Sequence, residues 1–167
     1  KVEELVSNIL EDPIRIEVTP SITIPENVNQ WLYYVSKRHK MELCLHLLRN
    51  TIKGSLIIFR RTKFGVEKLE QTLVKNGYLV TSIHGNKTQK NRQNALANFK
   101  MNKVNILIAT DVAARGIDIE NLESVINFDL PNIPETYVHR IGRTARAGKK
   151  GRAFSLCSID EKSYIKK

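Results

Sequence analysis

Cysteine is scarce in this chain, which has only Cys44 and Cys157 among its 167 residues. The two lie far apart in the sequence and each sits within an apolar segment, so we expect both to be packed in a core rather than paired or bound to metal. The four histidines show no spacing suited to zinc, which leaves no metal site to predict. A reducing compartment is indicated.

Long apolar runs are also missing. No stretch approaches the roughly 18 apolar residues of a membrane-spanning helix, and the first residues show no basic stretch followed by an apolar one and a small-residue cleavage site. We therefore expect a cytoplasmic protein. With 41% hydrophobic residues in a length of 167, the chain has enough apolar surface to bury the core of one domain without disulfides.

Acidic residues are outnumbered by basic ones. The 17 Asp and Glu stand against 27 Lys and Arg, which gives a formal net charge of +10. Such an excess predicts a polyanionic partner, with nucleic acid as the main candidate. Composition does not say where the charges lie, so the motifs have to locate them.

A complete phosphate-binding P-loop is absent as well. Residues 142–150, GRTARAGKK, come nearest, but five residues rather than four separate the glycines, and no Ser or Thr follows the lysine. The sequence therefore predicts no nucleotide site built on such a loop.

The chain is predicted to consist of a short leading segment and one domain. Residues 2–10 place apolar side chains at helical spacing, and Pro13 prevents that helix from continuing. The next stretch holds two more prolines and alternating apolar residues, which favours an extended connector. We thus predict a helix and linker over residues 1–27 and a domain over residues 28–167.

Within the domain, predicted strands alternate with predicted helices. Short apolar or β-branched runs predict strands at 31–35, 55–59, 78–84, 104–110, 124–128 and 152–157. Apolar residues at helical spacing predict helices at 40–49, 64–76, 88–100 and 134–141. This alternation is typical of an open, mostly parallel α/β sheet with helices on both faces, and ligands of such sheets bind beyond the carboxyl ends of the strands.

The most informative motif is HRIGRTARAG at residues 139–148. It places Arg140, Arg143 and Arg146 at intervals of three, so that the three could share one helical face. Guanidinium groups are suited to fork onto phosphate oxygens. A plain amphipathic surface helix is the alternative interpretation, but the glycines of the motif are poor residues for such a helix.

A second motif, ATDVAARGIDI at residues 109–119, comes directly after a predicted strand. It offers Thr110 to a phosphate, Arg115 and Asp118 to polar or charged partners, and Gly116 for a close approach of the backbone. Many strand-to-helix loops contain such residues, so this motif alone leaves a functional and a structural interpretation open.

A third motif, SIHGNKTQKNRQ at residues 82–93, leaves a strand and enters a helix. Thr88, Gln89 and Arg92 could track a nucleic-acid backbone with hydrogen bonds and one charge. A solvated polar helix face is the alternative.

Taken in order, five segments of the chain resemble the second, C-terminal RecA-like lobe of DEAD-box ATP-dependent RNA helicases, which belong to superfamily 2. The segments LIIFRRT, SIHGNKTQKNR, ATDVAARGID, VINFDLP and YVHRIGRTARAG are similar to that family's motifs IV, IVa with its Gln-x-x-Arg, V, Va and VI. The resemblance covers roughly residues 28–165, and residues 1–27 resemble the linker between the family's two lobes. Within the family, the chain is similar to the RhlE subgroup.

The resemblance implies a shared ATP site. Arg143 and Arg146 would act as arginine fingers on the γ-phosphate of ATP bound by the N-terminal lobe, and Asp118 and Gly116 would meet the nucleotide. Since the GKT and DEAD segments of that lobe are not in this sequence, binding of Mg²⁺ and activation of water are expected from the other lobe. The chain alone is therefore expected to hydrolyse no ATP.

The resemblance also implies a grip on RNA and a connection between the lobes. Coupling across the cleft would involve His139, Arg140 and Arg115. Positions that match contacts to the RNA sugar-phosphate backbone are Gly85, Gln89, Arg92, Thr110 and Arg61.

One position departs from the family's common pattern: Ala145 stands where motif VI usually has glycine. If that position needs a positive φ, alanine is strained there, so we expect either an ordinary backbone or a slightly shifted loop.

The function predicted from the sequence is that of the C-terminal lobe of an RNA helicase that unwinds short duplexes by gripping single-stranded RNA. Two alternatives stay open at this point. One is a DNA-directed helicase of the same superfamily, and the other is a non-catalytic RNA-binding module that uses the same basic face.

Overall fold

A computed structural model of the chain describes Ile9 and residues 27–117, 119, 122–145 and 150–165. The leading helix and connector predicted over residues 1–27 lie, apart from two residues, outside the described part of the chain. The boundary between linker and domain therefore stays a prediction.

Six strands form one sheet, and all neighbouring pairs are parallel. The order across the sheet is β1-β6-β5-β2-β4-β3. The strands are β1 Val28–Tyr34, β2 Leu56–Phe59, β3 Val80–Ile83, β4 Ile106–Ala109, β5 Ser124–Asn127 and β6 Gly151–Cys157. The helices are α1 Lys40–Asn50, α2 Lys63–Lys75, α3 Gln89–Lys100, α4 Asp111–Ala114, α5 Pro134–Ile141 and α6 Lys162–Ile165, with short 3-10 helices at Lys37–His39 and Ile159–Glu161.

Strand β2 shows why the sheet is covered on both faces. Its four residues are all buried, and successive side chains of a strand point to opposite faces. Leu56 and Ile58 pack in one core cluster with residues of α1 and α2, whereas Ile57 and Phe59 pack in another with residues of α3 and α4. The predicted parallel α/β sheet with helices on both faces is thus confirmed.

Local capping chemistry sets the helix ends. The side chain of Thr62 accepts a hydrogen bond from the Gly65 amide at the start of α2, and Thr88 accepts one from Asn91 at the start of α3. Gly77 comes after α2 with φ of +81°, the left-handed conformation that favours glycine at the end of a helix. The strands predicted at 78–84 and 104–110 are shorter than expected, because their outer residues already belong to the loops at either end.

None of the helices in the described parts of the chain is long and apolar enough to cross a membrane. Both cysteines are buried in the core. Burial raises the pKa of the Cys44 thiol to about 12, which makes that thiol unreactive at neutral pH.

A buried ion pair fastens the start of α1 to the chain beyond β6. The Lys40 ammonium is 1% exposed and donates to Glu161 Oε2 at 2.5 Å and to the Phe128 carbonyl at 2.7 Å. The same carboxylate accepts hydrogen bonds from the Leu130 amide, the Ser158 amide and hydroxyl, and Arg61. Burial alone would raise the pKa of Glu161, but the hydrogen bonds from Lys40 and Ser158 outweigh it and hold this pKa below the usual carboxyl range.

Glu161→Gln should lower the free energy of unfolding by roughly 3–5 kcal/mol, because it leaves the Lys40 ammonium buried without a counter-charge. A carboxyl group whose pKa is lowered on folding stabilises the folded protein when the pH is above the pKa of that group in the unfolded chain. This stabilisation is lost as the pH falls through the pKa of the group in the folded protein. The variant should therefore also lose stability less steeply in acid than the wild type. Urea unfolding between neutral and acid pH measures both effects.

The matched control is Lys37→Gln, which removes an exposed ammonium 3.9 Å from the Asp160 carboxylate. This change should leave the unfolding midpoint nearly unchanged, since exposed ion pairs contribute little. Equal midpoints for Glu161→Gln and Lys37→Gln would show that the buried pair does not stabilise the fold.

Candidate nucleotide and nucleic-acid interface

The predicted site residues that the structure describes lie near one edge of the sheet. Because all strands are parallel, the residues that come after each strand lie at the same edge. Arg61 comes after β2, Gly85 after β3 and Thr110 after β4. Segments far apart in the sequence are thus brought to the place where α/β proteins bind ligands.

Arg140, in the last turn of α5, is buried at this edge with 2% of its surface exposed. Its guanidinium forks onto Asp111 of α4, with Nε 2.6 Å from Oδ1 and Nη2 2.8 Å from Oδ2. Its Nη1 donates to Asn127 Oδ1 at 3.1 Å and to the Asp129 carbonyl at 2.6 Å. The central carbon, Cζ, of the Arg140 guanidinium also lies 5.0 Å from the centre of the Phe59 ring. The Arg140 guanidinium, whose planar shape would suit a phosphate, is therefore bonded to acceptors within the lobe.

Arg140 and Arg143 do not share one helical face. Helix α5 ends at Ile141, and Gly142 forms its C-cap, so Arg143 lies beyond the helix. Arg146 and Asp118 lie outside the described residues. The helix predicted at residues 134–141 is thus confirmed, and Arg143 follows it in the glycine-containing segment rather than on its face.

Arg143 lines a shallow cleft of about 230 Å³ together with Arg115, Gly116, His139 and Arg140. Its Nη1 donates to the Ile117 carbonyl at 3.0 Å. The one acidic side chain among the described residues that line the cleft is that of Asp111, and both of its oxygens already accept from Arg140. The cleft is thus electropositive, as a phosphate site requires.

The segment that carries Arg143 is held by backbone contacts. The Thr144 hydroxyl donates to the Leu122 carbonyl, and the Leu122 amide donates to the Arg143 carbonyl at 3.1 Å. A Cβ on Gly151 would clash with the Thr144 side chain, so only glycine lets the start of β6 approach this segment so closely. The position of Arg143 is thereby fixed against β6.

Ala145 adopts φ of +56°. The expectation of an ordinary backbone at this position is therefore wrong. Alanine here occupies the left-handed region, which is unfavourable for a residue with a Cβ.

A second cleft, of about 440 Å³, lies between α3 and residues 115–117. Gln89 and Arg92 line it from the helix, and Arg92 Nη2 donates to the Ala113 carbonyl at 3.2 Å. Gly85 is exposed near the start of α3, with open space where a Cβ would stand. Thr110 is the N-cap residue of α4. Candidate nucleic-acid contacts thus lie along α3 and the loops beside it.

The two clefts share a wall made by Arg115 and Gly116. The segment 113–117, which contains this wall, accepts a hydrogen bond from Arg92 at Ala113 and one from Arg143 at Ile117. One short segment therefore touches a candidate RNA residue at one end and a candidate phosphate residue at the other.

Arg61 differs from the other candidates. Its Nη2 donates to Glu161 Oε1 at 2.8 Å and to the Leu130 carbonyl at 3.1 Å. The side chain is 47% exposed, and it lines neither of the two clefts. Its role toward RNA stays a prediction.

Sequence reasoning missed the acceptors that organise this edge, namely Asp111, Asn127 and Asp129. Two signals could have found them. An amide side chain ends strand β5 directly after the apolar pair Val125 and Ile126, and a carboxylate stands directly after Thr110 at the start of a helix. Both are polar residues at strand ends, where a buried cation needs partners.

Comparison with known proteins identifies the family. Residues 39–148 match the helicase conserved C-terminal domain. In sequence, the chain is 39% identical to the DEAD-box ATP-dependent RNA helicase RhpA of Helicobacter pylori over 93% of the chain and 32% of that protein. It is 39% identical to the ATP-dependent RNA helicase SrmB of Haemophilus influenzae over 98% of the chain and 38% of that protein. The chain spans about a third of the length of these curated relatives.

Solved structures agree in fold. The Escherichia coli DEAD-box protein SrmB, bound to regulator of ribonuclease activity A, superposes with a TM-score of 0.76 at 39% identity, covering 85% of this chain and 84% of that one. A DEAD-box protein of Methanococcus jannaschii gives a TM-score of 0.80 at 36% identity over 99% of this chain and 44% of that one. The chain thus belongs to the helicase conserved C-terminal domain family and is a RecA-like C-terminal domain of the DEAD-box type.

Ala145→Gly should raise the free energy of unfolding by up to about 1 kcal/mol, because relief of the left-handed strain exceeds the added flexibility of the unfolded chain. Ala97→Gly is the matched control, since Ala97 is an exposed residue inside α3. There the same change should cost about 1 kcal/mol. Chemical denaturation compares the two variants, and equal destabilisation would mean that Ala145 is not strained.

Proposed function

We propose that this chain is the C-terminal lobe of an ATP-dependent RNA helicase, which completes an ATP site on one side and grips single-stranded RNA on the other. One observation carries the proposal: an electropositive cleft and a second cleft lined by candidate RNA residues share the wall formed by Arg115 and Gly116. A lobe that joins phosphate chemistry to RNA binding needs such an arrangement.

On the nucleotide side, Arg143 and Arg146 would contact the γ-phosphate of ATP held by the N-terminal lobe. The donors in the Arg143 cleft fit that role, since its cationic side chains are opposed by a single carboxylate that is already neutralised. Gly116 and Asp118 would meet the nucleotide. No cluster of three or more His, Cys, Asp or Glu that could hold a metal occurs among the described residues, and we assign Mg²⁺ to the N-terminal lobe.

On the RNA side, the grip would be on the sugar-phosphate backbone and independent of base sequence. Residues assigned to it are Gly85, Gln89, Arg92, Thr110 and Arg61. Arg92 is a charged residue of α3 in the second cleft, and its guanidinium donates to the Ala113 carbonyl. A phosphate beside it would compete with the Ala113 carbonyl for the same donor.

Both ligands together would draw the two lobes closed, with His139, Arg140 and Arg115 coupling them. The segment 113–117 supports such coupling, because Arg92 and Arg143 each donate to one of its carbonyls. Closure would strain the bound RNA and separate a short duplex. We further propose a cytoplasmic location, residues 1–27 as the linker between the lobes, and an RhlE-like subgroup.

Arg143→Lys and Arg146→Lys test the proposal in a two-lobe protein that carries this chain as its C-terminal lobe. Lysine keeps the charge but loses the planar fork, so the maximal ATPase rate should fall toward the roughly 10³- to 10⁵-fold loss known for removal of an arginine finger. Arg92→Ala should instead raise the RNA concentration needed for stimulation and spare the maximal rate. Steady-state ATPase curves against RNA concentration separate these effects.

Arg49→Lys is the control, because Arg49 is exposed on α1 and pairs with Asn76 at 3.2 Å. It should leave both parameters unchanged. The chain without its partner lobe should hydrolyse no ATP. If both motif VI variants kept the wild-type maximal rate, the arginine-finger assignment would be wrong, and a non-catalytic RNA-binding module would be the better account.

A further inference from the structure

An exposed aromatic ring stands at the same edge of the sheet as the candidate RNA residues. Phe64, in the first turn of α2, is 70% exposed, more than any other aromatic side chain among the described residues. Burial of an apolar ring of this size against another surface is energetically favourable. The position of Phe64 beside the candidate RNA residues suggests that an RNA base covers the ring.

Lys63 connects this ring to the loop after β3. Its Nζ lies 5.2 Å from the centre of the Phe64 ring and donates to Asn86 Oδ1 at 3.1 Å. Asn86 stands directly after Gly85, which is exposed and has open space beside its Cα. A flat apolar surface, an ammonium group and an unobstructed backbone thus lie side by side.

The first turn of α2 is closely packed against Arg60. A Cβ on Gly65 would come within 2.7 Å of the Arg60 guanidinium, which shows how closely that group packs on the turn. Arg60 in turn lies 4.1 Å from the centre of the Phe128 ring and 2.9 Å from the Asp129 carboxylate. The backbone that carries Phe64 is therefore packed against neighbouring groups, and a pre-organised backbone lowers the entropic cost of stacking a ligand on the ring.

We propose that Phe64 is a stacking platform for one nucleobase of the RNA strand whose backbone is held at Gly85 and Arg92, with Lys63 beside the adjoining phosphate. This inference rests on the RNA grip proposed above and extends it from the backbone to a base. Every base offers a π-face, so such a platform tolerates any sequence. The neighbouring ammonium adds a salt-sensitive attraction to the phosphate.

The test measures binding of the whole chain to short single-stranded RNA at low salt, with 2-aminopurine placed at successive positions. One position should lose fluorescence on binding, as happens when this base stacks on an aromatic ring. Phe64→Ala and Phe64→Leu should abolish that quenching and weaken binding by about 5- to 100-fold. Phe64→Trp should preserve both, because it keeps an aromatic face.

Tyr34→Ala is the matched control. Tyr34 is also an exposed aromatic, 65% accessible, with the Lys162 ammonium 5.5 Å from its ring centre, but it lies on β1 at the opposite side of the sheet from β3. This change should alter neither quenching nor affinity. An abasic residue at the quenched position should weaken wild-type binding and leave Phe64→Ala unaffected.

Two results would overturn the platform while leaving the RNA grip intact. In the first, Arg92→Ala weakens binding but Phe64→Ala does not. In the second, Phe64→Ala weakens abasic and intact RNA equally, which would mean that the ring serves something other than a base. Absence of RNA binding by the wild-type chain, or binding indifferent to Arg92→Ala, would instead overturn the proposed grip and the platform with it.

Discussion

The forked ion pair between Arg140 and Asp111 organises the edge of the sheet on which the proposed function depends. A buried guanidinium must have its charge compensated and its N–H groups bonded, or the fold loses several kcal/mol of stability. Here the compensation comes from Asp111, 29 residues earlier in the chain, and from Asn127 and the Asp129 carbonyl at the end of β5. The pair therefore fixes α4, α5 and the end of β5 to one another.

The same ion pair determines where the two clefts lie. Helix α4 is only four residues long and is held at its start by Arg140, so the segment after it is positioned to form the wall between the clefts. Arg143 stands directly after the C-cap of α5 and reaches back to this segment at Ile117. A displacement of α4 would thus reach both the cleft lined by Arg143 and the cleft beside α3.

The sequence predicts those parts of the molecule that depend on local chemistry. The buried run of β2 and the helix at 134–141 are visible in hydrophobic period and length. The structural role of Arg140 cannot be read from the sequence. Its spacing groups it with Arg143, whereas its burial depends on Asp111, which lies far away in the sequence. The pairing of Lys40 with Glu161 spans 121 residues and leaves no local pattern. The positive φ of Ala145 is likewise set by backbone contacts, which residue type does not reveal.

Hydrogen exchange of the Arg140→Lys variant tests the central claim most directly. A lysine keeps the charge but cannot reproduce the fork onto Asp111 or satisfy Asn127 at the same time. In the native chain the amides of Ala114 and Arg115 donate to the carbonyls of Thr110 and Asp111 at 3.0 and 3.1 Å. Arg140→Lys should accelerate exchange at these two amides and leave β2 and β4 protected. Unchanged protection of Ala114 and Arg115 in a folded variant would contradict the account.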